Sequence, residues 1–243
     1  MGGLSLASSF TDTWEFDGSD WAQRTPAHAP ATADAPAMVY DPVRQETVLI
    51  ANAFPMQTWS WDGADWTQKA PATQPSVWVG WWNACFDPVR EKVVLLTPFS
   101  TIYINPPLQE MRVWEWDGAD WTAAPHAPIL TEGFGMAYDS VRSQILVAGG
   151  SKYFPDSSIE ILNTPSSTPI YSEERTYFNR AVKTHITPDG SRVVIYTAAP
   201  SIEIRDGSGS LTKTISAPFA DAEQSSLTTV SADGMIAAIR TYK

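Results

Sequence analysis

His126, Glu132, Asp156 and Glu110 lie in unrepeated stretches of this chain, and their types could move protons or hold a metal ion. An imidazole exchanges a proton near neutral pH, and a carboxylate beside it can orient it or share a metal with it. Arg112, Lys152 and His28 belong to the same polar set. A second constellation is aromatic: Trp78, Trp81 and Trp82 stand within one short stretch, with Tyr103, Tyr153 and Phe154 in other stretches of unrepeated sequence. Such rings could build a platform for a sugar, a flat small molecule or a peptide side chain. Trp82 reads equally well as the opening residue of a buried strand.

The spacing of these groups argues against most known chemistries. Neither HxH nor HExxH occurs, so no metal site is expected. No GxSxG elbow is present. Asp206-Gly207-Ser208-Gly209-Ser210 reads as a hairpin turn rather than a phosphate loop. His28 and His126 both sit in His-Ala-Pro contexts, and repetition favours a loop-packing role over a catalytic one. Cofactors are not expected. His185 falls in a strand, where a core or hydrogen-bonding role is expected.

The elements that must position these residues are repeats. TWEFDGSDW, TWSWDGADW and VWEWDGADW begin at Thr13, Thr58 and Val113, and each reads as a hairpin through Asp-Gly, with a loop of two or four residues. Either loop puts Trp59, Trp61 and Trp66 on one face. A second unit alternates with the first: YDPVRQETVLI at Tyr40, FDPVREKVVLL at Phe86 and YDSVRSQILVAGG at Tyr138. Its continuous apolar runs suit inner strands buried on both faces. The inner signal recurs at Asp41, Asp87, Asp139, Asp189 and Asp233, in steps of 87−41 = 46, 139−87 = 52, 189−139 = 50 and 233−189 = 44. Two hairpins make a four-stranded blade, and a pitch of this size marks a propeller.

The expected fold is therefore all-β: a single β-propeller domain over residues 1–243 with five four-stranded blades. The blades are placed at about 37–70, 81–124, 133–178, 182–217, and 224–243 joined by 10–25. The N-terminal hairpin completes the last blade and closes the ring, which removes open sheet edges. Arg44, Arg90 and Arg142 then fall in turns and read as structural. The longer links, which emerge at the other end of the blades, carry both constellations.

Three strong copies, over about residues 10–150, resemble the kelch-repeat family. The resemblance rests on Gly149-Gly150 ending the third inner strand, on the aromatic residue before Asp41, Asp87 and Asp139, and on the WxWDGxxW hairpins. Pro188-Asp189-Gly190 and Ile202-Glu203-Ile204-Arg205-Asp206-Gly207 are more similar to WD40-type or TolB-type repeats. The resemblance implies a propeller scaffold and carries no catalytic signature.

Composition bounds the partners. With 16 basic and 27 acidic residues the net charge is −11, which disfavours nucleic acid and anionic membrane surfaces. No apolar stretch is long enough for a membrane span. The opening MGGLSLASSF lacks signal-peptide features, so a chain starting at a native Met1 is expected in the cytoplasm; a removed leader is the other reading. The lone Cys85 lies in an apolar strand and reads as a buried core thiol. The leading functional expectation is a non-catalytic binding module that presents Trp78, Trp81, Trp82, Tyr103, Arg112, Tyr153 and Phe154 to a protein or glycan partner. The alternative is a small-molecule hydrolase, lyase or cyclase using His126, Glu132, Asp156 and Glu110 at the mouth of a central channel.

Overall fold

The computed structural model describes residues 3–4, 9–10, 12–30, 36–51, 55–75, 82–101, 108–124, 134–149, 157–163, 168–175, 181–187, 191–197, 201–216, 224–230 and 237–242. Every regular element among them is a strand.

Strands β1 (Gly3–Leu4) and β2 (Ser9–Phe10) pair as a short ladder, and β3 (Thr13–Phe16) and β4 (Trp21–Arg24) form a hairpin. Blade 1 follows as β5 (Ala37–Asp41), β6 (Glu46–Ala51), β7 (Gln57–Trp61) and β8 (Trp66–Gln68). Blade 2 holds β9 (Asn83–Asp87), β10 (Lys92–Thr101), β11 (Leu108–Trp116) and β12 (Trp121–Ala123). Blade 3 holds β13 (Phe134–Asp139), β14 (Gln144–Gly149), β15 (Ser157–Asn163) and β16 (Thr168–Arg175). Blade 4 holds β17 (Ala181–Ile186), β18 (Arg192–Thr197), β19 (Ser201–Asp206) and β20 (Leu211–Ser216). A last hairpin joins β21 (Gln224–Val230) to β22 (Ala237–Tyr242). Each blade is an antiparallel meander in chain order, and the first strands β5, β9, β13, β17 and β21 succeed one another as neighbours. This is a β-propeller. Among the described residues β3–β4 and β21–β22 remain separate two-stranded sheets.

The repeated Asp-x-x-Arg sequence makes the inner turns. Asp41, Asp87 and Asp139 are buried at the end of β5, β9 and β13. In each, one carboxylate oxygen accepts the backbone N–H groups two and three residues on, and the other accepts from the arginine at i+3. A buried carboxylate is tolerable only when paired and hydrogen-bonded, and the turn supplies both conditions. Arg44, Arg90 and Arg142 are thus turn residues. In blade 4 the equivalent of these aspartates is Thr187, not Asp189: its hydroxyl accepts from the Arg192 N–H at 3.0 Å.

The outer hairpins settle the loop length at four residues, because Phe16 faces Trp21, Trp61 faces Trp66 and Trp116 faces Trp121. Gly18, Gly63 and Gly118 adopt φ of 101°, 96° and 100°, which a side chain would resist. The leading aspartate (Asp17, Asp62 or Asp117) accepts two backbone N–H bonds across the loop. These bonds hold all three carboxyls below the ordinary range, and Asp17, which also accepts the Ser19 hydroxyl, falls to about 2. The facing aromatic pairs lie with ring centroids 5.2–5.4 Å apart at a 41° tilt.

Two apolar layers separate the blades. Alternation along β10 sends Val93 and Leu95 toward blade 1, where they join Ile50, Val48, Trp82, Trp114 and Trp116. Val94 and Leu96 point toward blade 3 and join Cys85, Ile145 and Val147. Cys85 is buried, and desolvation pushes its thiol pKa up, so it is an inert core residue.

Candidate functional site

The meander fixes which segments share an end of the blades. The Asp-x-x-Arg and Asp-Gly turns all lie at one end, which carries the ordered aspartates described above. The links between β6 and β7, β10 and β11, and their counterparts, begin and finish at the opposite end, as does the start of each inner strand. That second end is the candidate face.

His28 does not belong to it. Its backbone N–H reaches Asp65 Oδ1 at 2.9 Å and its Nδ1 lies 2.7 Å from Asp65 Oδ2, so it sits beside the outer turn of blade 1, at the acidic end. The same bond recurs one blade on, where the Thr73 N–H reaches Asp120 Oδ1 at 2.8 Å. The equivalent of His28 in the next repeat is therefore Thr73. The link leaving an outer strand is clasped to the following blade rather than standing open, and the His28 bonds hold the Asp65 carboxyl below its ordinary value.

Blade 2 breaks the repeat at the candidate end. In blade 1 the middle pairing ends at Ala51 opposite Gln57. In blade 2 it reaches the equivalent pair, Thr97 opposite Arg112, and then continues through Pro98–Met111, Phe99–Glu110, Ser100–Gln109 and Thr101–Leu108. Four further pairs at about 3.4 Å each form a ribbon projecting roughly 13 Å beyond the neighbouring sheet. The stretch 97–112 is thus strand over 97–101 and 108–112. Glu110 takes its place on this ribbon opposite Phe99.

Trp82 lies at the foot of the same region. It precedes Asn83, which pairs with Leu96, and its ring is buried between blades 1 and 2 beside Met56, Trp114 and Leu95. Arg112 is half-buried on β11, in the cross-strand row of Thr97. Trp78, Trp81, Tyr103, His126, Glu132, Lys152, Tyr153, Phe154 and Asp156 lie outside the described residues, and His185 is placed by its backbone alone, opposite Val194. Among the described residues no group of three or more His, Cys, Asp or Glu is arranged to hold a metal ion. No helix is long and apolar enough to cross a membrane.

Thr97 and Trp114 escaped the sequence reading. Their rows could have been found by aligning blade 2 on blade 1: Pro36, Ala51 and Gln57 in blade 1 stand where Trp82, Thr97 and Arg112 stand in blade 2.

No protein-family model matches the chain, and no curated protein matches it in sequence. Solved structures do. The SapL1 lectin, determined in complex with alpha methyl fucoside, is similar with a TM-score of 0.55 at 17% identity over 82% of this chain and 70% of its own. YCF48, determined bound to D1 peptide, is similar with a TM-score of 0.52 at 14% identity over 82% of this chain. The chain spans 58% of the YCF48 chain. Both are propeller-type proteins, and at these identities the likeness is one of fold.

Proposed function

We propose that this propeller is a non-catalytic binding module that engages a protein or glycan partner at the end of the blades opposite the Asp-Gly turns. The observation that carries the reading is the β10–β11 ribbon, because an extension present in one blade and absent from its neighbour answers to no need of the repeat. Arg112 and Trp82 stand at its base, and Trp78 and Trp81 directly precede Trp82 in sequence. Tyr103 lies within the ribbon's connecting segment, and Tyr153 and Phe154 follow β14, in the corresponding link of blade 3. We read residues 1–243 as one propeller domain with kelch-like repeats. Propellers of this general shape, SapL1 with alpha methyl fucoside and YCF48 with D1 peptide, support a scaffold suited to either partner class.

The test is an affinity capture from lysate in parallel with a glycan array, using wild type, the Trp78→Ala/Trp81→Ala double variant, and a chain whose residues 98–111 are replaced by a short turn. Partner binding lost in both variants, with the thermal transition retained, supports the reading. A partner held equally by all three chains places binding elsewhere and sinks it.

A further inference from the structure

Three valines stand exposed in turns that have no use for an apolar side chain. Val43, Val89 and Val141 each sit two residues after the buried aspartate of an inner turn, and they are 49%, 68% and 71% exposed. The turn engages only the backbone at this place: Asp41, Asp87 and Asp139 accept the valine N–H at 3.0, 3.0 and 2.9 Å. In blade 4, where Thr187 stands for the aspartate, the same place in the sequence is Asp189. Extending the Val230–Ala237 register by one pair makes Ser231 the next counterpart, with Asp233 two residues on. Asp189 and Asp233 lie outside the described residues, but as residue types they mark a place open to a charged side chain. Valine in three consecutive repeats therefore answers to no need of the turn.

The three valines share one surface. β5 approaches β9, and β9 approaches β13, with Cα atoms within 8 Å. The inner turns of blades 1 and 2 also touch, since Arg44 Nη1 donates to the Glu91 carbonyl at 3.0 Å. Pro42 and Pro88, exposed beside Val43 and Val89, widen the apolar arc. Single exposed valines are ordinary, whereas a contiguous apolar surface with a polar rim marks an interaction site.

The rim is acidic. Arg44, Arg90, Lys92 and Arg142 are each engaged by a carboxylate of their own blade, so they cancel Asp41, Asp87, Glu115 and Asp139. Asp17, Asp62 and Asp117 on the outer turns are held by N–H and hydroxyl donors instead of by a bonded cation. Arg44 and Lys92 also attract Asp117, though each is already bonded to another carboxylate. The low pKa of the three outer-turn aspartates keeps them ionised throughout the neutral range. Glu91, exposed on the inner turn of blade 2, adds a further negative charge between Val89 and the turn of blade 1.

We infer that the arc Val43–Val89–Val141 receives a cationic amphipathic segment of a protein partner, with its apolar side chains on the valines and its lysines or arginines on the surrounding carboxylates. This is a second surface, at the end of the blades opposite the ribbon. A purely apolar occupant would desolvate the carboxylates without supplying a counter-charge. A purely cationic one would leave the valines in water. The same rim repels nucleic acid and anionic lipid.

The test is fluorescence anisotropy with labelled Leu-Lys, Ser-Lys and Leu-Glu repeat peptides. The expected result is saturable binding of the Leu-Lys peptide, weaker binding of Ser-Lys and none of Leu-Glu. Val89→Ser/Val141→Ser should weaken the Leu-Lys peptide about tenfold, because apolar area is no longer buried on binding, and should leave the thermal transition in place. Asp62→Asn/Glu91→Gln should also weaken it, and added salt should erase that difference. Both changes suit the fold: the Asn amide oxygen can accept the bonds that Asp62 accepts, and Gln45 already occupies the Glu91 position in blade 1. No binding of the Leu-Lys peptide, binding unchanged in the valine variant, or Ser-Lys bound as tightly as Leu-Lys would overturn the inference. Self-association of wild type that the valine variant lacks would assign the arc to a second copy of this chain and overturn it too. Peptide binding lost in Trp78→Ala/Trp81→Ala but kept in the valine variant would move the peptide to the ribbon end, which overturns the inference and leaves the binding-module reading intact.

Discussion

Trp66 Nε1 donates to Thr13 Oγ1 at 2.9 Å, and one blade further on Trp121 Nε1 donates to Thr58 Oγ1 at the same distance. Thr13 and Thr58 open β3 and lie near the start of β7, at equivalent repeat positions, so each outer hairpin is stitched to the one before it by the same bond. Both members are buried in each case, which makes the bond costly to break from one side. Thr58→Val keeps the shape and removes the acceptor, leaving the Trp121 indole N–H orphaned; the expected loss is about 1–3 kcal/mol. Urea unfolding followed by tryptophan fluorescence checks it, and a Thr58→Val/Trp121→Phe pair less destabilised than the sum of its parts would assign the loss to the bond.

Gly118 separates backbone strain from steric cost. Gly18, Gly63 and Gly118 share nearly the same positive φ, but an added Cβ meets nothing within 4 Å at Gly18 and Gly63, and runs into the Arg44 side chain at Gly118. Arg44 cannot give way without cost, because its Nη1 binds Asp41 Oδ2 at 2.7 Å and the Glu91 carbonyl at 3.0 Å, tying the inner turn of blade 1 to that of blade 2. Gly63→Ala should cost about 1 kcal/mol from strain alone. Gly118→Ala should cost more, and Arg44→Ala should abolish the difference between the two.

The repeated hairpins, the buried aspartate turns and the inner apolar strands were legible in the sequence because each depends on local chemistry: positive φ at Gly, capping by Asp, and unbroken runs of Val, Leu and Ile. Loop length was not, since Asp-Gly suits a turn of two residues or four, and only the aromatic pairing across Trp61 and Trp66 decides. Thr187 was hidden because its hydroxyl closes the turn by a different bond, accepting from the Arg192 N–H where Asp41 accepts from Val43 and Arg44, while Asp189 nearby supplies the expected letters. The ribbon was hidden by Pro98, whose missing N–H is harmless when it points away from the paired strand. His28 was misplaced because its partner, Asp65, is distant in sequence and carries no signal that it reaches back. Of the candidate site, Trp82 and Arg112 were visible as residue types, but the ribbon that rises from them follows from strand pairing that no local sequence signal marks.

The clasp between His28 and Asp65 predicts an acid-sensitive step. The backbone N–H of His28, then its ring, lower the Asp65 carboxyl below its ordinary value of 3.8. A carboxyl whose folded pKa is depressed contributes stability that is fully present above the unfolded value and is lost as pH falls through the folded one. The window is therefore at and below the ordinary carboxylate value, and neutral pH leaves the clasp intact. Asp65→Asn should flatten the fall of stability with pH in that window relative to wild type. An unchanged acid limb in denaturant midpoints measured across it would remove the clasp from the acid response.

The two lone hairpins predict a fifth sheet. Phe16 and Trp21 form the same facing pair as Trp61–Trp66 and Trp116–Trp121, yet they are 53% and 61% exposed where Trp66 and Trp121 are 3% and 1%. In blades 1 and 2 that aromatic face packs on the preceding hairpin. At the other end of the array β20 is exposed throughout, and Leu211 and Ile215 present apolar side chains at 52% and 39% exposure. Aromatic surface at one end and aliphatic surface at the other are complementary, and burying both follows from the hydrophobic effect. The register follows from blade 4, where Val194 pairs with Ile204: the equivalent residues are Ala238 on β22 and Glu15 on β3. The Thr58 carbonyl accepts from Lys69 on the β8 side, so Thr58 and, two residues on, Ser60 face away from β6. Glu15 stands at the Ser60 position, which makes Glu15 and Ala238 a non-hydrogen-bonded pair, close enough for a disulfide. In a Cys85→Ala background, Glu15→Cys/Ala238→Cys should oxidise to a monomeric disulfide and raise the unfolding midpoint, and Glu15→Cys/Ala237→Cys, one residue out of register, should not. Disulfide-linked dimers from the first pair would show exchange of hairpins between copies, and no disulfide at all would show that β3 does not complete the sheet of β21 and β22.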